Sequence, residues 1–359
     1  MKIAVLGGGN GSYAAAADLS DRGHEVRFWR RDAGAFQPVL DSRAIKLRDF
    51  SGTRDIKIAR PTTDIAEAVG GADLIVAPTP AFAQADLAAH IAPHLTDGQV
   101  IFLPPGTFGS YLMTKVLRAA GCRAEIMIAE TGTLPWLTRK HGAAEVAITT
   151  RATRLPTGVF PARLTDTAIA VIAAAFPEAI EPVEDALSGA LMNAGPIIHP
   201  PLILMNAGPI EHFDRWDIHK EGTQPSIRRV HEALDHERIA IRDALGYAAP
   251  HFPLADHYNT SKWMYGKLAH DKLVDSGDWH EHLNLKSHRY MREDVGMGLA
   301  FLVSVGEWAG TPCPVAAGLL AIAGAASGEA FGCSGRTLQS LGLAAQSRDG
   351  MRKLLQEGL

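Results

Sequence analysis

Residues Lys2–Leu6 read KIAVL, and Gly7-Gly8-Gly9-Asn10-Gly11-Ser12 follow at once. An alanine-rich stretch then runs from Tyr13 to Arg22, Gly23 is placed to cap it, and His24–Trp29 (HEVRFW) alternates apolar and polar side chains. Apolar β-branched run, glycine turn, helical stretch and alternating run spell strand, turn, helix, strand. This is the first βαβ unit of a dinucleotide-binding fold. Gly7 would allow the tight turn out of the strand, and Gly9 would let a pyrophosphate reach the backbone. The first N–H groups of the helix, from Asn10, Gly11 and Ser12, would then face that phosphate with the helix dipole behind them. Ser12 holds the third position of G-x-G-x-x-G, so the match is imperfect, although small Ala14 and Ala17 would still let the helix pack closely on the sheet.

The acidic marker of such a site is less clear. An acid at the end of the second strand commonly holds the ribose hydroxyls. Here the strand ends Phe28-Trp29-Arg30-Arg31-Asp32, and Asp32 lies past the expected strand end. Arg30 and Arg31 would either accept a 2′-phosphate or stay solvated, so these residues leave NAD and NADP open.

The 359 residues, 47% of them hydrophobic, suffice for two domains with cores of their own. A formal charge of −4, with no basic block and no aromatic–basic interleaving, argues against nucleic acid as a partner. No apolar run reaches membrane-spanning length. The chain enters directly into a strand, which leaves no room for a signal peptide, and Cys122, Cys313 and Cys333 are scattered. Reduced thiols in a cytoplasmic protein are the expectation. His280-x-His282 is the closest ligand pair among the fifteen histidines, with His270 and His288 nearby, but neither HExxH nor a cysteine joins them. No metal is expected there.

After Asp32 a short helix and an irregular connection are expected as far as Asp55. A strand at Ile56–Ala59, a helix at Thr63–Val69, a buried strand at Ala72–Ala77 and a helix to about His94 come next. A strand at Gln99–Leu103, a helix at Ser110–Ala120 and a strand at Glu125–Ala129 continue the alternation, which predicts an α/β, doubly wound, Rossmann-type parallel sheet over residues 1–187. Ligands bind outside the carboxyl ends of such strands. Pro80, Pro105 and Gly106 fall there and are read as walls of the cofactor site, whereas Glu130 is either a cap, an interdomain contact or a catalytic group. Val146–Thr150 is expected as an added strand and Leu164–Phe176 as a closing helix. Beyond Glu181–Ser188 helical stripes take over: Ile227, Val230, Leu234, Ile241 and Leu245, then Val295, Leu299, Leu302 and Val303, then the apolar Pro314–Ala326. Residues 188–359 are predicted to be an all-helical domain with these stripes as its core.

Two features of that half carry chemistry. Met192-Asn193-Ala194-Gly195-Pro196-Ile197 recurs as Met205-Asn206-Ala207-Gly208-Pro209-Ile210, and a histidine follows each copy, His199 and His212. At about 100° per residue the two would point to different sides of one unbroken helix, although Pro200-Pro201 is expected to interrupt it. The other feature is His288-Arg289-Tyr290-Met291-Arg292-Glu293-Asp294-Val295-Gly296, either an acidic first turn complementing a helix dipole or part of a site.

The Gly7–Ser12 turn, Asn193…His199-Pro200 and Arg289-Tyr290…Glu293-Asp294-Val295 together resemble the opine dehydrogenases, the octopine/nopaline dehydrogenase family. The resemblance runs over essentially the whole chain, and its two motifs in the helical half are more specific than the glycine turn. It implies that the amine of an L-amino acid, neutral and apolar, is joined reductively to pyruvate, a keto acid, or that the reverse oxidation is run. It implies His199 as acid/base, Asp294 as its partner, Arg289 as carboxylate anchor and Asn193 as a substrate contact. It favours NAD over NADP, and it implies a homodimer.

The chemistry gives these residue types a reason. The amine must lose a proton to attack the keto acid, and water must leave the carbinolamine, both within reach of one histidine. A carboxylate on its other nitrogen would fix the tautomer. Both substrates are carboxylates, which a planar arginine clamps well. Each domain would supply half the site, with closure during turnover. A two-domain hydroxyacid or keto-acid reductase, needing no amine, is the nearest alternative, and a nucleotide sensor without turnover is another.

Overall fold

The computed structural model describes residues 1–177 and 179–359, which fall into two compact units: Met1–Ala190 with Arg352–Leu359, and Leu191–Met351. The last eight residues, expected with the helical half, therefore return to the first unit.

Among the described residues the first unit holds twelve strands: β1 (Lys2–Leu6), β2 (Glu25–Trp29), β3 (Ala44–Asp49), β4 (Gly52–Lys57), β5 (Arg60–Thr62), β6 (Leu74–Val76), β7 (Val100–Leu103), β8 (Met127–Thr131), β9 (Trp136–Lys140), β10 (Glu145–Arg151), β11 (Leu155–Phe160) and β12 (Ile180–Pro182). Eight of them form one sheet in the order β12-β11-β8-β7-β6-β1-β2-β5, parallel except where β11 runs against β8. Along β1, Ile3 and Val5 face one apolar core and Ala4 and Leu6 the other, so both sheet faces are covered, as an all-apolar strand requires. Strand order reverses at β1, with β2 on one side and β6 on the other. The carboxyl ends of β1, β6 and β7 deliver Gly7, Pro78-Thr79-Pro80 and Pro104-Pro105-Gly106 to that switch point, the place where such sheets bind ligands.

The sequence reading missed a second sheet, ordered β4-β3-β10-β9. The stretch before Asp55 is not an irregular connection after its helix (Ala33–Ser42) but the hairpin β3–β4. Its charged alternation, AIKLRD and GTRDIK, hid a half-exposed sheet. Helix Asn10–Asp21 lies between the two sheets, and every residue from Gly11 to Leu19 is buried. That burial on both sides is the reason for its alanines. Buried Asp18 ties the layers together, accepting from Trp136 Nε1 at 2.9 Å and from Arg151 Nε at 2.7 Å.

The second unit is helical: Gly195–Met205, Ala207–His212, Pro225–Leu245, a π-helix at Tyr290–Leu299 that runs into Ala300–Trp308, and Pro314–Ser327. A two-strand ladder, Trp216–Asp217 with His280–Glu281, is the small exception. Among the described residues no group of three His, Cys, Asp or Glu side chains could hold a metal ion, and no single helix there is long and apolar enough to cross a membrane. Pro200-Pro201 does not break its helix, which continues to Met205. Nor is every apolar stripe core, since helix Pro314–Ser327 leaves Ile322 58% exposed. Helix Pro225–Leu245 buries a polar stripe beside the apolar one: His231, Asp235, Arg238 and Arg242.

Candidate functional site

In the first unit the glycine turn is built for a ligand at the backbone. Gly7 has φ +123°, a left-handed value that glycine adopts without strain, and its N–H donates to the Trp29 carbonyl at 3.0 Å. A side chain on Gly7 would lie 2.6 Å from Ser12 Oγ, and Ser12 donates that hydroxyl to the Leu6 carbonyl at 3.3 Å. Ser12 therefore locks the turn, and a cofactor would meet its backbone alone. Gly11 is a packing glycine, because a Cβ there would come 2.8 Å from Leu134 and 3.0 Å from Pro78. At Gly9, the N-cap, nothing among the described residues stands within 4 Å of an added Cβ. That open space in front of the first helical N–H groups fits a pyrophosphate.

The other residues expected at the cofactor are placed differently. Asn10 uses its carboxamide oxygen to accept from the Lys140 N–H at 3.0 Å, fastening β9 to the turn. Asp32 caps helix Ala33–Ser42, accepting from Ala35 N–H at 3.0 Å. Arg31 is exposed and pairs with Asp86 at 2.5 Å, while Arg30 lies inward across the turn at Gly8. Pro80 and Pro105 stay at the strand ends. Gly106 also packs on a neighbour, since a Cβ there would collide with the Glu130 carboxylate. Glu130 is fully buried and accepts from the N–H groups of Phe108 (2.6 Å) and Ser110 (3.2 Å) and from the Ser110 hydroxyl. These bonds make it a cap of helix Gly109–Ala119.

In the second unit two glycines and a proline bring two backbones together. A Cβ on Gly195 would strike Asp294, and one on Gly298 would strike Pro196. Helix Gly195–Met205 therefore lies close along the π-helix, and His199 Nδ1 comes 2.9 Å from Asp294 Oδ2. The distance is that of a charge-assisted hydrogen bond, with the ring N–H angled off the line to the oxygen. The π-helix matters here. Its wider turn closes hydrogen bonds five residues apart, as from Ala300 N–H to Val295 O. Arg289 stands half-exposed, 3.5 Å from Glu293. Burial pushes the Asp294 carboxyl up to about 7, against the downward pull of the Arg289 charge.

The sequence reading gave no role to Tyr290, His219 or His231 around this pair, and took Asn193 as a substrate contact. Tyr290 stacks flat on His199, ring centroids 3.7 Å apart and 7° from parallel, and its hydroxyl is 2.9 Å from His219 Nε2. His231 Nε2 reaches the Ile198 carbonyl at 2.9 Å, next to His199. Burial lowers the His231 pKa to about 4, so its ring is a neutral donor at that carbonyl. Asn193 accepts from Gly195 N–H at 3.0 Å and so starts the helix that carries His199. The second copy of the echoed motif behaves differently. Asn206 ends that helix, its side chain donating to the carbonyls of Leu202 and Gly222, and His212 lies exposed beside Phe213, away from Asp294.

Residues 182–327 match the family model of the NAD/NADP octopine/nopaline dehydrogenase α-helical domain, and residues 2–122 that of the NAD-dependent glycerol-3-phosphate dehydrogenase N-terminus. Opine dehydrogenase of Arthrobacter sp. (strain 1C) is 30% identical over 98% of each chain. The chain belongs to the opine dehydrogenase family. It is thus an NAD-dependent oxidoreductase acting on a CH–NH bond, with a Rossmann-type domain and a helical one. Vitopine synthase of Allorhizobium ampelinum is 24% identical over 95% of each chain. The same fold is seen in octopine dehydrogenase with NADH and agmatine (TM-score 0.72, 18% identity, 100% of this chain and 98% of that one). It recurs in NADP⁺-bound yersinopine dehydrogenase (TM-score 0.68, 15% identity, 99% and 97%).

Proposed function

We propose that this opine dehydrogenase condenses pyruvate with a neutral, apolar L-amino acid to an N-(1-carboxyethyl) amino acid, and runs the reverse oxidation. The observation that carries the reading is the 2.9 Å approach of His199 to Asp294, with the Arg289 charge near enough to act on that carboxyl. Solved octopine dehydrogenase complexes hold NADH with L-arginine or with pyruvate, which supports an amino acid and a keto acid as the two reactants here.

With Nδ1 of His199 turned to Asp294, proton exchange with substrate falls to Nε2. There the imidazole would take the ammonium proton and return it to the hydroxyl that leaves as water. Asp294 would fix the tautomer and stabilise the imidazolium, and burial keeps water from screening that interaction. Tyr290 would hold the ring plane by stacking. Arg289 would exchange its 3.5 Å contact with Glu293 for a substrate carboxylate. A bound nicotinamide cofactor would supply the hydride. The test is NADH oxidation with pyruvate against a panel of L-amino acids. Oxidation that needs both partners is expected. Rapid oxidation with pyruvate alone would instead make the protein a keto-acid reductase.

A further inference from the structure

The backbone that carries His199 is held from outside its own helix. Pro200 and Pro201 have no N–H, so the carbonyls of Pro196 and Ile197 lose the donors a regular helix would give them. A residue before a proline is also turned away from helical backbone. His199 is such a residue, yet helix Gly195–Met205 continues through it. At this weakened turn the Ile198 carbonyl meets a group from helix Pro225–Leu245, His231 Nε2 at 2.9 Å. That carbonyl belongs to the planar peptide unit ending at the Cα of His199. Fixing it fixes the plane from which the imidazole projects. Tyr290 already sets the tilt of the ring and Asp294 faces its Nδ1, so the backbone is the freedom left to control.

Chemistry fixes the direction of each bond. A carbonyl only accepts, so Nε2 of His231 carries the proton. The buried ring is neutral, its pKa lowered to about 4, which leaves Nδ1 bare. Tyr258 sets its hydroxyl 3.2 Å from that Nδ1. Burial pushes the tyrosine up to about 12, against the pull of the Arg228 charge, so it keeps its proton and donates. Arg228 in turn lies over the Tyr258 ring, 4.4 Å from its centre, with Nη2 3.3 Å from His270 Nε2. Tyr258 therefore selects the tautomer of His231 that can hold Ile198.

We propose that His231, kept in one tautomer by Tyr258, is a positioning residue that holds the His199 backbone so that the imidazole meets Asp294. The proposal rests on the acid/base reading of His199 and deepens it. Steady-state kinetics with NADH, pyruvate and the best amino acid of the panel test it. His231→Phe fills the space but donates nothing, so kcat should fall about tenfold while KM and NADH affinity hold. His231→Gln offers a donor to Ile198 and an acceptor to Tyr258, and should recover most of that loss. Tyr258→Phe should cost about threefold, the worth of one ordinary hydrogen bond. Combined with His199→Gln, His231→Phe should lower the residual rate no further, whereas a merely structural role would. An unchanged kcat in His231→Phe would overturn the proposal. So would a loss that His231→Gln does not restore, or one that persists in full beside His199→Gln. If His231→Phe does not fold, Tyr258→Phe decides, and an unchanged kcat there overturns the proposal. A near-normal kcat in His199→Gln itself would overturn the acid/base reading, and this proposal with it. A crippled His199→Gln beside a silent His231→Phe would overturn this proposal alone.

Discussion

The turn Gly7–Ser12 and the contact between helix Gly195–Met205 and the π-helix both depend on missing side chains, but different things occupy the space. At Gly9 the absent Cβ leaves room in front of helical N–H groups, and nothing among the described residues fills it. At Gly195 the space is taken by the Asp294 carboxylate, which is thereby buried against His199. The first region offers backbone donors that do not titrate. The second gathers an imidazole, a carboxylate and a guanidinium whose charges depend on one another. Recognition by backbone should therefore be lost through bulk, and the chemistry through changes of charge or proton capacity.

On that contrast His199→Gln should have the largest effect, lowering kcat by about a hundredfold or more while NADH binding, followed by fluorescence titration, persists. His212→Gln, exposed at the end of its own helix, should be nearly silent. The reverse pattern would exchange the two assignments. Gly9→Val should do the opposite of His199→Gln, weakening NADH binding about tenfold or more by putting a branched side chain where the pyrophosphate must approach. A folded Gly9→Val protein with wild-type NADH affinity would remove the basis for the site at the turn. Arg289→Lys keeps the charge but loses the planar fork, so KM for the keto acid or amino acid should rise about tenfold with NADH affinity held. Unchanged KM for both would leave Arg289 as a partner of Glu293 and nothing more.

The smallest effect sharpens the comparison through stability. The folded pKa of Asp294 is raised from 3.8 to about 7, so between those values the native state binds the proton more tightly than the unfolded chain. Stability from this group is therefore lost as pH rises from about 4 through about 7. Asp294→Asn should raise the melting temperature at pH 8 and leave it little changed near pH 4. A shift of equal size at both would mean the carboxylate is not held at such a cost. No comparable pH-dependent change is expected from Gly9→Val.

The same contrast explains what could be read in advance. A backbone site leaves its mark in consecutive letters, and Gly7, Gly9 and the flanking strands were legible because local sterics demand them. The all-helical second half was legible from apolar periodicity. The hairpin β3–β4 was not, because AIKLRD and GTRDIK alternate with charges on a half-exposed sheet and resemble a polar connection. Glu130 was ambiguous because an acid after a strand caps a helix or does chemistry with equal ease, and its capping of Phe108 and Ser110 N–H groups appears only in the fold. In the helical half His199 and Asp294 were named through family likeness, since nothing local links residues so far apart. Tyr290 and His219 escaped because their roles exist only once the stack and the hydroxyl contact form. The π-helix was hidden as well, its apolar stripe reading equally well as an α-helix.

The central claim is that His199 and Asp294 act as one unit, and a double-mutant cycle on kcat tests it most directly. His199→Gln, Asp294→Asn and the double variant should be compared at one pH with saturating NADH, pyruvate and amino acid. The account predicts that Asp294→Asn imitates much of the His199→Gln defect and that the double variant is little worse than His199→Gln alone. Losses that multiply, each factor appearing in full in the double variant, would contradict it and make the 2.9 Å approach a packing contact between two independent residues.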